Sequence, residues 1–141
     1  MRRFSLLLSA LVLLACGGSD SAPLTLAPTD SNVAGTYNLT SSNGRPLPLV
    51  AFVTTDEEWD MLSDQFVINA DGTWNETTNY AVTALATAAT RDTSSQSVGT
   101  YAIANSQINF TITPGSVTFT GSVSGTYLSV LFNGGHFIYQ K

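Results

Sequence analysis

From Val33 to the C-terminus, apolar and polar residues alternate along the chain with a period of two. The clearest case is the segment where Ile108, Phe110 and Ile112 alternate with glutamine, asparagine and threonine. The segment that begins at Trp74 shows the same pattern, with threonine, asparagine and alanine at every other position. Such alternation is typical of half-buried β-strands, which place one face in a core and the other in water.

Short turn signals separate the alternating segments. Asn-Gly and Asp-Gly are strong hairpin signals, and Pro-Gly, Ser-Gly and Gly-Gly also interrupt strands. They begin at Asn43, Asp71, Pro114, Ser124 and Asn133. Many short strands joined by tight turns indicate an all-β sandwich or barrel in which neighbouring strands pair in order. We predict strands near residues 35–40, 47–54, 64–69, 73–83, 97–103, 107–113, 117–123, 126–132 and 136–140.

Between these strands, residues 56–62 predict one short helix. Thr55 suits the N-cap position, and Glu58 three residues later completes a capping box. Trp59 and the leucine three residues after it would share one face of that helix. Residues 84–96 leave two interpretations open, because their alanines favour a helix, whereas their threonines and serines favour an extended hairpin or a mobile loop.

The N-terminus has the three parts of a secretory signal peptide. Arg2 and Arg3 form a positive start, residues 6–14 form an apolar stretch broken only by a serine, and small Ala15 precedes Cys16. The alternative is a transmembrane helix. A membrane span needs about 20 apolar residues, and this run is shorter and ends in two glycines.

The end of this segment, Leu13-Leu14-Ala15-Cys16, resembles the lipobox of bacterial lipoproteins. The resemblance implies removal of residues 1–15 as a signal peptide and attachment of diacylglycerol and a further acyl chain such as palmitate at Cys16. It also implies a lipid-anchored protein of the cell envelope, at the periplasmic or surface face of the outer membrane, because a glycine rather than an aspartate follows Cys16. The alternative is an ordinary secretory signal with a stray cysteine, but lipidation explains why an exported chain has a single thiol.

Domain organisation follows from this anchor. Residues 16–32 are rich in Gly, Ser, Pro and Asp without a period, which predicts a flexible tether. Residues 33–141 then form one domain of ordinary size.

Loss of Arg2 and Arg3 with the signal leaves three basic residues against ten acidic ones, a formal charge of −7. This charge argues against nucleic-acid binding, and it suits a cationic partner or serves solubility alone.

The order of several short motifs is similar to that of small bacterial lipocalin-like lipoproteins, a mostly uncharacterised group. The motifs are Gly35-Thr36-Tyr37-Asn38-Leu39-Thr40, Ser42-Asn43-Gly44, Pro46-Leu47-Pro48, Asn69-Ala70-Asp71-Gly72-Thr73-Trp74, Val98-Gly99-Thr100-Tyr101 and Phe137-Ile138-Tyr139. The resemblance implies an eight-stranded up-and-down antiparallel β-barrel and does not imply an activity. Lipocalins begin their first strand with Gly-x-Trp, whereas Tyr37 occupies that tryptophan position here.

Catalytic and metal-binding chemistry finds little support in the sequence. His136 is the single histidine and lies in a predicted turn, so we expect no catalytic residues and no enzyme activity. One histidine cannot supply the usual zinc ligands. The acids between Asp56 and Asp64 lack the spacing of a calcium loop. We therefore expect neither a metal site nor a cofactor.

Aromatic residues on the inward face of the predicted strands suggest a ligand pocket instead. The residues that share this face are Tyr37, Phe66, Trp74, Tyr80, Phe110 and Phe119. Barrels of about eight strands can hold one small ligand, and aromatic lining suits an apolar or amphipathic one. In this hypothesis Trp59 guards the mouth, and Glu76 holds the polar end of the ligand. The alternative is a solid core in a structural or interaction protein of the envelope, such as an inhibitor of a cationic enzyme.

Overall fold

A computed structural model describes residues 30–141 as one short helical turn and ten β-strands. The predicted signal peptide, Cys16 and all but the last three residues of the predicted tether lie outside the described residues. The elements are α1 (Asp30–Val33), β1 (Gly35–Ser42), β2 (Arg45–Pro46), β3 (Leu49–Val53), β4 (Glu57–Ile68), β5 (Thr73–Ala84), β6 (Thr90–Ala104), β7 (Gln107–Ile112), β8 (Thr118–Ser124), β9 (Tyr127–Phe132) and β10 (Gly135–Gln140). In this part of the chain, no helix is long and apolar enough to cross a membrane.

Eight of the strands close into an antiparallel barrel. From β4 to β10 each strand pairs with the next along the chain, and β1 closes the ring by pairing with both β10 and β4. Tyr37 lies opposite Phe66 on one side of β1, and Leu39 lies opposite Tyr139 on the other. The predicted all-β, up-and-down barrel of about eight strands is therefore confirmed.

The two short strands β2 and β3 lie where the barrel wall divides. Pairing between β1 and β4 ends at Asn38 and Gln65. Beyond that point β2 continues along β1, whereas Leu49 of β3 pairs with Met61 of β4. We call this division the seam, and β2 and β3 line it.

The barrel has two distinct ends. The lower end carries α1, the β4–β5 turn and the C-terminus, and it is closed by local contacts. The hydroxyl of Tyr37 donates to the Val33 carbonyl at 2.7 Å. Lys141 Nζ donates to the Ala34 carbonyl at 2.5 Å and lies 5.3 Å from the centre of the Tyr37 ring. The upper end carries the β7–β8 and β9–β10 turns.

Strands β4, β5 and β6 continue past the upper end as an extension. They are the longest strands, with 12, 12 and 15 residues. Pairing of β6 with β7 covers only Gly99 to Ala104, whereas its pairing with β5 reaches Thr90. The ambiguous segment 84–96 is thus largely the extended hairpin, with β6 beginning at Thr90 after a turn.

The predicted helix over residues 56–62 is wrong, because residues 57–62 form the first half of β4 and Asp56 lies in the bend before it. Thr54, not Thr55, organises the preceding turn, since its hydroxyl accepts hydrogen bonds from the Asp56 and Glu57 amides. The strand pairs with β3 on one side and β5 on the other, and these two ladders outweigh the weak local preference for a helix.

Aromatic side chains fill the lower and middle parts of the barrel. Phe66 stacks on Trp74 with ring centres 4.9 Å apart, and Phe110 stacks on Phe119 at the same distance. Edge contacts join the two stacks. Gly99 lies opposite Trp74, and a Cβ atom there would collide with the carbonyl oxygen of Thr111 on β7. This glycine therefore lets β6 and β7 pair tightly beside the indole.

Candidate functional site

A pair of carboxyl groups lies inside the barrel wall, above the aromatic stacks. Asp64 of β4 and Glu76 of β5 are diagonal neighbours, since Asp64 pairs with Thr78 and Glu76 with Phe66. Tyr139 reaches them from β10. Its hydroxyl lies 3.0 Å from Asp64 Oδ2 and 3.2 Å from Glu76 Oε1, and it can donate to either oxygen. The three groups form one polar layer. We call Asp64 and Glu76 the carboxyl pair.

Burial raises the pKa values of both carboxyl groups of this pair. Asp64 is 4% exposed, and its Oδ1 atom has no hydrogen-bond partner. Loss of solvation by burial, followed by repulsion from Glu76, raises the pKa of Asp64 to about 8. Burial also raises the pKa of Glu76, and burial together with both carboxyls raises the pKa of Tyr139. The raised pKa of Asp64 lies above neutral pH, so its carboxyl group is mainly protonated there.

A partly open cavity of about 70 Å³ adjoins this polar layer. Glu76, Tyr139 and Ser97 give it polar groups, and its floor is formed by Trp74 and Phe119. The remaining walls are apolar and come from Ile112, Val130, Phe132 and Phe137. An apolar cavity with a few polar groups at one side is the usual form of a small-molecule site.

The position of the cavity follows from its walls. Ile112 is the last residue of β7, and Phe132 is the last residue of β9. The turns that follow these two residues lie at the upper end of the barrel. The cavity is therefore near the mouth from which the β4–β6 extension rises, at the end opposite to the N-terminal turn.

The structure divides the predicted pocket residues into three groups. Phe66, Trp74, Phe110 and Phe119 come together, but mainly as a solid core, and only Trp74 and Phe119 of these line the cavity. Tyr37 is fully buried at the lower end, away from the mouth, where it packs under α1. The four central aromatics therefore fill the barrel, and two of them, Trp74 and Phe119, form the floor of the cavity.

Trp59 and Tyr80 form the third group, on the extension. Together with Phe52 they make a separate aromatic cluster, in which the ring centres are 5.1 to 6.4 Å apart. The Trp59 indole donates to Glu57 at 3.2 Å, and the Arg91 guanidinium lies 5.9 Å from its centre. Neither Trp59 nor Tyr80 lines the cavity by Glu76.

Glu76 was predicted to point inward, whereas Asp64 and Tyr139 were missed as members of the site. A signal for both was present. Asp64 lies two residues before Phe66, and Tyr139 lies two residues after Phe137, so period-two alternation places each on the same strand face as that aromatic residue. Asp64 was instead grouped with the acidic run that precedes it, because the start of β4 was predicted as a helix.

The other acids of that run lie on the extension. Arg91 donates to Glu57 at 2.7 Å, and this hydrogen bond holds the pKa of Glu57 below its ordinary value. Among the described residues, no group of three or more His, Cys, Asp or Glu side chains could hold a metal ion. His136 is exposed, and its Nε2 atom lies 2.8 Å from the Ser129 hydroxyl.

Comparison of the chain with protein-family models, with curated proteins and with solved structures finds no significant match. The carboxyl pair and its cavity therefore have to be interpreted from their own geometry.

Proposed function

We propose that this chain is a lipid-anchored lipocalin-like protein of the bacterial envelope whose barrel binds a small apolar or amphipathic ligand at its upper mouth. The observation that supports this best is the partly open cavity with apolar walls and a buried carboxyl pair at one side. Apolar walls hold the body of an amphipathic molecule, and the polar groups fix its head. The proposal assigns no reaction to the protein.

The cavity volume limits the part of the ligand that is enclosed. An apolar cavity of roughly 150 Å³ takes up benzene, and this one measures about 70 Å³. It therefore accommodates a group of a few heavy atoms. Because the cavity opens at the mouth, a longer molecule would leave its remaining atoms outside, beside the extension.

The proposed anchor is compatible with this position. The described chain begins with α1 at the lower end, so a lipid on Cys16 would join the domain at the end opposite to the mouth and leave the mouth accessible from the aqueous phase.

Binding can be measured by the fluorescence of Trp74, which lines the floor of the cavity. The chain has two tryptophans, so the Trp59→Phe variant reports on Trp74 alone. In that variant we expect benzene, phenol or n-butanol to change the emission in a saturable way. Ser97→Leu should abolish the change, because leucine fills the cavity that Ser97 lines.

The control for this titration is Ser94→Leu, which adds the same side chain at an exposed position of the same strand. It should leave the titration unchanged. A flat response of the Trp59→Phe protein to all three probes would contradict the proposed function.

The proposed lipid anchor has its own test. Cys16→Ser should move the protein out of the membrane fraction when cells are fractionated, because the acyl chains supply the anchoring energy, ~0.8 kcal/mol per buried CH₂. Ser19→Ala is the matched control, since it changes the predicted tether without touching the lipobox. Equal membrane retention of Cys16→Ser and Ser19→Ala would refute the anchor.

A second candidate function is an interaction with a cationic envelope protein, such as inhibition of a basic enzyme. The end of the extension favours it, since Phe52, Val53 and Leu85 are 47%, 56% and 51% exposed there. Asp56 and Glu58 lie in the same region. Exposed apolar groups beside acids suit a partner with a basic surface.

A further inference from the structure

We propose that the ligand of the upper cavity is a small organic ammonium ion, whose amino group is bound by Glu76 together with Tyr139. This inference rests on the proposed function and deepens it by naming the chemical class of the ligand. It follows from a carboxyl group at the cavity wall, from the absence of a cationic partner for that group among the described residues, and from the apolar walls beside it.

The carboxyl pair has no cationic side chain of its own. Among residues 30–141, Arg91 forms an ion pair with Glu57 on the extension. Lys141 is held at the lower end by the Ala34 carbonyl and Tyr37. Arg45 is exposed on β2. None of these side chains forms a salt bridge with Asp64 or Glu76, so the carboxyl pair lacks a cationic partner within the described chain.

Hydrogen bonding points in the same direction. Of the two carboxyl groups, Glu76 lines the cavity and Asp64 does not, whereas Tyr139 lines it as well. The one donor that the structure supplies to the pair from across the barrel is the Tyr139 hydroxyl, which both carboxyls share. An ammonium group carries three donors and no acceptor. It therefore complements a carboxyl group, whose oxygens accept hydrogen bonds.

The cavity walls select the rest of the molecule. Ile112, Val130, Phe132 and Phe137 offer only carbon surface beside Glu76. A hydrated inorganic cation gains nothing from such walls, whereas an alkyl or aryl group on the ammonium is removed from water there. A carboxylate ligand of the same size would add a third carboxyl group beside Glu76 and Asp64 with no cationic group to balance it, so we expect it not to bind.

Three probes of equal chain length separate these chemistries: n-butylamine, n-butanol and butyrate. We would titrate each into the full chain with Trp59→Phe, reconstituted in phosphatidylcholine vesicles at pH 7, and follow Trp74 emission. We expect n-butylamine to bind at least ten times more tightly than n-butanol, and butyrate to give no saturable change.

Substitutions identify the groups that carry the preference. Glu76→Gln keeps the shape of the side chain and removes its charge, so it should weaken n-butylamine binding about tenfold or more and leave n-butanol binding unchanged. Glu76→Met also removes the carboxyl group from the cavity wall, should likewise weaken n-butylamine binding, and serves as a second variant if Glu76→Gln does not fold. Glu58→Gln, on the opposite face of β4 from Trp59 and outside the cavity, is the matched control and should change neither affinity.

The outcomes separate this inference from the proposed function. Equal or tighter binding of n-butanol or butyrate would overturn the ammonium preference and leave a binding barrel in place. Tight n-butylamine binding that survives Glu76→Gln and Glu76→Met would also overturn it. If benzene, phenol and all three butyl probes fail to bind, the proposed function falls together with the inference.

Discussion

Truncation of Phe110 to alanine should lower the free energy of unfolding by about 3–5 kcal/mol, the usual cost of removing a buried phenylalanine ring. Phe110 is 0% exposed. It stacks on Phe119 and makes edge contacts with Phe66 and Trp74 at ring-centre distances of 5.2 and 6.0 Å. The cavity left by alanine cannot collapse easily, since its walls are rings held by other strands. Urea unfolding followed by far-UV circular dichroism measures the change.

Thr111→Ala is the matched control, because Thr111 follows Phe110 on the same strand and points to the other face. It should change the free energy of unfolding by well under about 1 kcal/mol, as surface substitutions usually do. Similar losses for Phe110→Ala and Thr111→Ala would show that the inward face of β7 is assigned incorrectly.

Stability should fall as the pH rises from about 4 to about 8. Asp64 has an ordinary pKa of 3.8 and a folded-state pKa of about 8. Between these values the native protein keeps a proton that the unfolded chain releases, so raising the pH favours unfolding by up to about 1.4 kcal/mol per pH unit. The stabilising contribution of the protonated group is complete below about pH 4 and is lost as the pH passes 8.

Asp64→Asn removes this titration and should flatten most of the pH dependence. At about pH 9 we expect the variant to be more stable than the parent by roughly 2–5 kcal/mol, because the parent must then ionise a buried carboxyl. Urea midpoints measured from about pH 4 to about pH 9 give the comparison. The raised pKa of Glu76, which shares the site, should leave a smaller residual slope.

The other carboxyls with shifted pKa values titrate outside this window. Hydrogen bonds from Arg91 lower the pKa of Glu57, and those from Thr73 lower the pKa of Asp71. Asp92→Asn is the control, since Asp92 is exposed on β6, and it should leave the slope of the parent intact. Stability that rises between about pH 5 and about pH 8 in the parent would contradict the assignment of a protonated Asp64.

Alternation and turn signals predicted most of the strands, because both are local properties of the chain. Segments such as the one containing Ile108 and Phe110 face the core as predicted. The error over residues 56–62 has a long-range cause, since β4 is held by ladders to β3 and β5. A capping pattern around Thr55 and Glu58 carries no information about those partners.

The candidate site was predicted only in part for a similar reason. Period-two alternation placed Glu76 inward, and the same rule covers Asp64 and Tyr139 once their strands are known. A cavity, however, forms only where the inward side chains do not fill the space that the strands enclose. Alternation shows which side chains point inward but not whether they fill that space. Trp74 lines free space while Phe110 does not, although both lie on the inward face, and that difference depends on how rings from several strands pack.

Closure of the barrel joins the two ends of the domain. β1 is the first strand of the described chain and β10 the last, and Asn38 pairs with Gln140 across nearly the whole length. A contact so distant in sequence has a large loop-closure entropy and forms late in folding. A growing or emerging chain therefore keeps two unpaired sheet edges, on β1 and on β9, until its final six residues of strand are free. Such edges are sites of aggregation, so the protein depends on its own C-terminus for solubility during synthesis as much as for its finished shape.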